Sequence, residues 1–133
     1  MYSQPDRILV IDEDLNPRLA TELKRRGRPA FGVKELGWRG KIDPYILRAL
    51  AERFDDPVIV TGDDHMPDHH AEIIEQLLPT IATIAPCEPQ DPLEDAYERE
   101  IVHKWAHVIH AQEKGTIRRY HLTGGVQWTT RKR

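Results

Sequence analysis

Two short apolar runs, each ending at an aspartate, constrain the fold of this chain more than any other feature. Residues 7–12 read Arg-Ile-Leu-Val-Ile-Asp, and residues 57–63 read Pro-Val-Ile-Val-Thr-Gly-Asp. Runs of this length, rich in β-branched residues, are typical of strands that are buried on both faces of a parallel sheet. We therefore expect Asp12 and Asp63 at the carboxyl ends of two such strands.

The stretches between these runs have the periodicity of helices. Apolar side chains that recur every three or four residues predict four helices, at about 17–26, 44–54, 68–78 and 91–114. Further apolar runs predict strands at 29–33, 80–85 and 117–122. The alternation predicts an α/β fold, a three-layer sandwich with a central parallel sheet, followed by a C-terminal helix and a short strand.

The length of 133 residues is that of one domain. We expect a single domain over 1–133, with a core over about 7–85 and a C-terminal appendage over about 91–133. The only cysteine, Cys87, can form no disulfide within the chain, which favours a reducing compartment. No apolar stretch approaches the ~18 residues that span a membrane. We expect a cytoplasmic protein with no membrane partner.

The net charge of −3 excludes a generally basic nucleic-acid binder, but the charges are unevenly distributed. The segment from Gly115 to the C-terminus has five basic residues and no acidic one. In it, Arg118, Arg119 and Lys132 are candidates for contacts to RNA phosphates, and the alternative is a solvated chain end. An acidic site with basic surroundings is expected where metal ions hold a phosphate substrate.

The carboxyl ends of parallel strands share one edge of the sheet, where ligands of open α/β folds bind. Asp43, which precedes a proline at a predicted helix start, can reach the edge at which Asp12 and Asp63 are expected. Carboxylates this close repel one another unless a cation joins them, and hard oxygen ligands favour Mg²⁺ or Mn²⁺. For Asp43 a helix cap is an equally good interpretation, and for Asp64 a solvated loop residue is the more common one.

Three segments resemble the small PIN-like nucleases. Residues 8–20 resemble their first strand, which ends in an aspartate and is followed by Glu-x-Leu-x-Pro and a helix. Residues 43–47 resemble their second acidic position, an aspartate at a helix start. Residues 58–63 resemble the third, a strand that runs into Thr-x-Asp. The matches occur in the family's order over about residues 7–85.

The resemblance implies a Mg²⁺- or Mn²⁺-dependent endoribonuclease with a PIN-like sandwich fold. It implies three metal ligands and one hydroxyl that orients a ligand or a water molecule, namely Asp12, Asp43, Asp63 and Thr61. With RNA as the substrate, Arg18 is a candidate for neutralising a phosphate. Many PIN proteins of this size, the VapC-like group, are bacterial toxins held by a small antitoxin. An antitoxin is therefore a candidate partner, and a homodimer is left open.

The chain departs from the family's pattern directly after Asp63. Where the related nucleases have a fourth acid, this chain has His65. Asp64 could serve as a metal ligand through a shift of one residue, or the fourth ligand is absent. The number of metal ions is therefore not fixed by the resemblance.

Other patterns suggest other functions. His103, His107 and His110 share one face of a predicted helix, where two histidines could bind Zn²⁺. The alternatives are a polar helix face and a surface turned toward RNA. A receiver-like phosphorylation domain also begins with a strand followed by acids, but we find no strand between Val33 and Phe54 that could carry its phosphoacceptor aspartate. A catalytically inactive PIN-like binding module is a further alternative.

Overall fold

The structure is a computed structural model of the chain. It describes residues 7–12, 15, 18–33, 44–63, 68, 70–84, 94–120 and 126–129, and for 94–98 and 126–129 it describes the backbone alone. The described residues form strands and helices that are, in chain order, β1 (Leu9–Ile11), α1 (Arg18–Arg25), β2 (Ala30–Gly32), α2 (Pro44–Arg53), β3 (Val58–Thr61), α3 (Ala71–Leu77), β4 (Thr80–Ile84), α4 (Glu94–His110), β5 (Ile117–Tyr120) and β6 (Val126–Thr129).

These strands form one sheet in the order β2-β1-β3-β4-β5-β6. The strands β1 to β5 are parallel, and β6 pairs with β5 in the antiparallel direction. The predicted α/β fold with a central parallel sheet is therefore confirmed. The direction of the strand order reverses at β1, because the chain leaves β1 for β2 on one side and then passes to β3 on the other.

Each face of the sheet buries its own apolar cluster, which makes the fold a three-layer sandwich. Successive side chains of a strand point to opposite faces. Leu9 and Ile11 of β1 pack with α1 and α4 on what we call the first face, whereas Val10 packs with α2 and α3 on the second face. Strands buried on both faces are nearly continuous apolar runs, which is why the sequence identifies them.

The helices follow from local sequence. Helix α1 buries Leu19, Ala20 and Leu23, a stripe with helical spacing. The chain turns after it at Gly27, whose φ of +83° lies in the left-handed region, where glycine has no Cβ to clash. Helix α2 buries an equivalent stripe that consists of Ile46, Leu47 and Leu50.

Helix α4 packs on the opposite face of the sheet from the one that the handedness of the other strand-helix-strand connections predicts. Helix α1 lies on the first face and leads toward β2, while α2 and α3 lie on the second face and lead in the opposite direction. These three connections therefore have the same hand. Helix α4 leads in the same direction as α3 but packs on the first face, beside α1. The connection from β4 through α4 to β5 thus has the opposite hand to the other three, whereas such units in one sheet usually share a hand.

The observed elements differ from the predicted ones in several places. Helix α3 spans Ala71–Leu77, and Asp68, where the prediction began, is helical as well, whereas α4 ends at His110, before residue 114. Residues 126–129, where no strand was predicted, form β6 and pair with the outer edge of β5. The segment that we set apart as an appendage adds helix α4 and strand β5 to the same sheet and core. None of the described helices combines the length and apolar character needed to cross a membrane.

A buried arginine connects the amino edge of the sheet to the C-terminal helix. Arg7 is 2% exposed, and its guanidinium donates to the carbonyl oxygens of Asp56, His110 and Gln112. It also pairs with the Asp56 carboxylate at 3.2 Å. Burial lowers the pKa of Arg7, and the Asp56 carboxylate opposes that shift. Since a buried charge is tolerated only when it is paired and hydrogen-bonded, these contacts hold α4 against the start of the sheet.

Candidate active site

The candidate site lies at the carboxyl edge of the sheet, where β1 and β3 are neighbours. The strand order reverses at this point, and in open α/β sheets ligands bind at such a reversal. Ile11 pairs with Val60, and the backbone N–H of Asp12 donates to the Val60 carbonyl oxygen at 2.8 Å. Asp12 therefore lies beside Thr61, the last residue of β3.

Thr61 connects the two predicted acids through its side-chain hydroxyl. The hydroxyl donates to Oδ2 of Asp12 at 2.7 Å and accepts from the backbone N–H of Asp63 at 3.0 Å. Thr61 is fully buried, Asp12 is 3% exposed, and Asp63 is half-buried. The structure thus brings these three residues together, with Asp12 as the inner acid and Asp63 as the outer one.

The other predicted site residues fall into two groups. Three lie outside the described residues, namely Asp43, Asp64 and Lys132. Arg18 is the exposed first residue of α1, and because α1 follows β1 it lies toward the same edge as Asp12. Arg118 and Arg119 lie on β5, two strands away from β3. Of the four predicted acids, the structure describes two and places both at one edge.

The donor chemistry at this edge suits a hard divalent cation. Carboxylate and hydroxyl oxygens are the ligands that Mg²⁺ and Mn²⁺ prefer, and Asp12 is a buried carboxylate oriented by a neighbouring hydroxyl. Within the part of the chain that the structure describes, no group of three or more His, Cys, Asp or Glu side chains could hold a metal ion. A complete ligand set would have to include acids outside that part, of which the sequence predicts Asp43 and Asp64.

One further residue at this edge was not singled out by the sequence analysis. Thr83 of β4 pairs with Thr61 on one side and with Arg119 of β5 on the other. Thr83 is 3% exposed, and its hydroxyl donates to the Arg118 carbonyl oxygen at 3.3 Å. The alternation of side chains along β4 could have predicted which face of the sheet carries Thr83. Only the strand register places Thr83 beside Thr61.

A cavity of about 300 Å³ lies between the first two turns of α2 and α3. It is lined by Pro44, Arg48, His70, Glu72, Ile73 and Gln76. Asp12 and Thr61 follow Val10 and Ile59 by two residues, so they lie on the same, second face as these helices. Both helices start at the carboxyl edge, so the cavity lies toward the same edge as the acids, although Asp12, Thr61 and Asp63 are not among its lining residues. A cavity of about 230 Å³ between the other ends of the two helices lies at the opposite edge.

The three histidines of α4 have separate environments. His103 Nε2 lies 2.7 Å from Oε1 of Glu22 in α1. His110 Nε2 lies 3.2 Å from the carbonyl oxygen of Arg7, and burial is the main cause that lowers the pKa of His110. His107 is exposed. Two of the three thus contact different parts of the first face, which favours a packing role over the proposed Zn²⁺ pair.

Glu22 links helices α1 and α4. Its carboxylate pairs with the Arg99 guanidinium as well as with His103. The hydrogen bond from Arg99, followed by that from His103, lowers the pKa of Glu22 to about 2. The carboxylate is a quarter exposed and lies on the outer side of the first face, so it supports the packing of α4 and not the candidate site.

Comparisons with known proteins assign nothing further to this geometry. No family model matches the chain, and no curated protein or solved structure matches it.

Proposed function

We propose that this protein is a metal-dependent endoribonuclease of the PIN-like type. The observation that carries the proposal is the Thr61 hydroxyl, which joins Asp12 to the backbone of Asp63 at the carboxyl edge. A buried acid and a half-buried acid that follow adjacent parallel strands, where the strand order reverses, lie where ligands of a charged group are expected. The segments that resemble PIN-like nucleases contain these same residues.

The acids would hold Mg²⁺ or Mn²⁺. Asp12 and Asp63 provide carboxylate oxygens, and the sequence resemblance adds Asp43 and Asp64. When bound, such an ion lowers the pKa of a water molecule and stabilises negative charge that develops on a phosphate. Thr61 holds Oδ2 of Asp12 in one orientation, which is the role of a residue that positions a ligand without being one.

A basic side chain would neutralise the substrate. RNA is a polyanion, so carboxylates alone would repel it, and nearby cations are needed to hold its phosphates. Arg18 is exposed at the start of α1, at the edge that carries Asp12. Its planar guanidinium can bind two phosphate oxygens at once.

The test is cleavage of labelled single-stranded RNA in Mg²⁺ or Mn²⁺ by the wild-type protein and by Asp12→Asn. The wild type should cleave, chelation with EDTA should stop cleavage, and Asp12→Asn should abolish it. Asp55→Asn is a matched control, because it removes the same charge from an exposed position at the amino edge, and it should cleave normally. Unchanged cleavage by a folded Asp12→Asn protein would overturn the proposal.

The likeness to VapC-like proteins extends the proposal to toxin activity. A small antitoxin would inhibit the enzyme by covering the carboxyl edge and offering a basic side chain to Asp12 and Asp63. Expression of the wild-type chain alone should then arrest bacterial growth, and Asp12→Asn should relieve the arrest. Equal growth with both proteins would leave RNA cleavage intact but would remove the toxin assignment.

A receiver-like phosphorylation domain is the second candidate, and the strand order favours it. Receivers share the order 2-1-3-4-5 that β1 to β5 have here. Asp63 follows β3, the strand beside β1, so an acid stands where a receiver's phosphoacceptor would be, although the described residues from Val33 to Phe54 contain no strand that could carry it. Strands β4 and β5 contain no lysine that could contact a phosphorylated aspartate. Incubation with acetyl phosphate decides between the two, since only a receiver would form a phosphoryl adduct on Asp63.

A further inference from the structure

The strand register places a cation in the same row as the candidate acids. Thr61 pairs with Thr83, and Thr83 pairs with Arg119, while Asp12 lies beside Thr61. Neighbouring strands are about 4.8 Å apart, so the backbone of Arg119 lies roughly 10 Å from that of Thr61. The row therefore runs across the carboxyl edge, perpendicular to the strands, from the acid that follows β1 to an arginine on β5.

The two adjacent arginines of β5 point to opposite faces. Ile117 packs in the cluster of the second face, and Tyr120 packs in that of the first. Burial raises the pKa of Tyr120, and the Arg118 guanidinium partly opposes that rise. Alternation then places Arg119 on the second face, the face of Asp12 and Thr61. The structure thus distinguishes two arginines that the sequence analysis treated alike.

The opposite hand of the α4 connection keeps α4 away from Arg119. A connection of the usual hand would have placed this helix on the second face, over β4 and β5. Instead α4 packs on the first face, and α3 is the last of the described helices on the second. Arg119 is accordingly half-buried, and only the small side chain of Thr83 separates it from Thr61 along the row.

We infer that a single strand of RNA crosses the carboxyl edge along this row, and that Arg119 binds a phosphate of the strand beyond the one at the acids. The inference rests on the proposed function for the identity of the substrate. A guanidinium binds phosphate through paired, charge-assisted hydrogen bonds. With Asp12 and Asp63 at one end of the row, Arg119 supplies the attraction that orients a polyanion across the edge.

Binding, measured without cleavage, tests the inference. Labelled single-stranded RNA is titrated with Asp12→Asn protein at several salt concentrations, with and without the additional substitution Arg119→Ala. Loss of one phosphate contact should reduce the slope of log affinity against log salt by about 0.7, which corresponds to about a fourfold loss of affinity at 0.15 M salt. Arg53→Ala removes the same charge from the last turn of α2, at the amino edge, and should leave the slope unchanged.

Two further variants keep the result decisive. Arg119→Lys keeps a positive charge at the same position of β5. Its slope of log affinity against log salt should therefore equal that of the Arg119 protein, and this comparison holds even if Arg119→Ala is unstable. Arg118→Ala tests the face, and a larger change in slope there than at Arg119 would overturn the inference. An unchanged slope in Arg119→Ala, or an absence of RNA binding, would also overturn it. Failure of the wild type to cleave RNA, with the slopes as expected, would reject the nuclease proposal but retain the RNA-binding row.

Discussion

Replacing Thr61 with valine tests the contact on which the candidate site depends. Valine has nearly the same shape, so the substitution removes the hydroxyl without leaving a large cavity. Two hydrogen bonds are lost, one to the Asp12 carboxylate at 2.7 Å and one from the Asp63 amide at 3.0 Å. A hydrogen bond to a charged group contributes about 1.5–3 kcal/mol and a neutral one about 1 kcal/mol. Since Thr61 is fully buried, we expect Thr61→Val to lower the free energy of unfolding by about 2.5–4 kcal/mol.

A double-mutant cycle isolates the contact with Asp12. Urea unfolding at pH 7 gives the free energies of the wild type, Thr61→Val, Asp12→Ala and the double variant. In the Asp12→Ala background, Thr61→Val should cost only about 1 kcal/mol, because the bond from the Asp63 amide alone remains to be lost. The coupling energy between the two positions should therefore be about 1.5–3 kcal/mol.

The control is Thr61→Ser, which keeps the hydroxyl and deletes only a methyl group. Thr61→Ser should lower the free energy of unfolding by about 1 kcal/mol and should retain most of the coupling energy with Asp12. If the nuclease proposal is correct, Thr61→Val should also reduce cleavage by about 10–100-fold, while Thr61→Ser should cleave nearly as well as the wild type. Equal losses of stability for Thr61→Val in the presence and absence of Asp12 would refute the reasoning.

Two further substitutions test the packing of the first face. The pKa of Glu22 is about 2, below its ordinary 4.5, so its contribution to stability is present above pH 4.5 and is lost as the pH falls toward 2. Because this carboxylate is a quarter exposed, Glu22→Gln should destabilise by only about 1 kcal/mol at pH 7 in urea unfolding, and a deficit that did not shrink at pH 3 would contradict this. Tyr120→Phe removes a buried hydroxyl that donates to Oε1 of Gln112 at 2.9 Å. Because Oε1 then has lost this donor, the free energy of unfolding should fall by about 1–2 kcal/mol. Unchanged thermal unfolding of Tyr120→Phe would show that the buried hydroxyl contributes nothing.

Most of the elements could be predicted from the sequence, because their signals are local. Buried strands such as β1 and β3 are apolar runs, and helices such as α1 have apolar residues at helical spacing. The chain end was harder to assign. Residues 126–129 read Val-Gln-Trp-Thr, a run of four residues that is too short to predict a strand by itself, and they form one because the edge of β5 is available for pairing.

Part of the candidate site was also accessible from the sequence. Asp12 and Asp63 follow apolar runs, so their place at strand ends needed no tertiary information. The role of Thr61 as the link between them depends on β1 and β3 being neighbours, which local periodicity does not state. The likeness to PIN-like nucleases suggested these residues in advance, and the predicted Asp43 and Asp64 stay predictions because they lie outside the described residues.

By itself the sequence determined most of the strands and helices, and that acids stand at the ends of two strands. These features depend on spacings of two to four residues along the chain. Only the tertiary structure decided that Thr61 bonds to Asp12, that Arg119 shares a face of the sheet with Thr61, and that α4 packs on the first face. Such choices depend on contacts between residues tens of positions apart, such as those of Arg7 with His110, whose free energy arises only when the whole sheet and its two layers of helices are assembled.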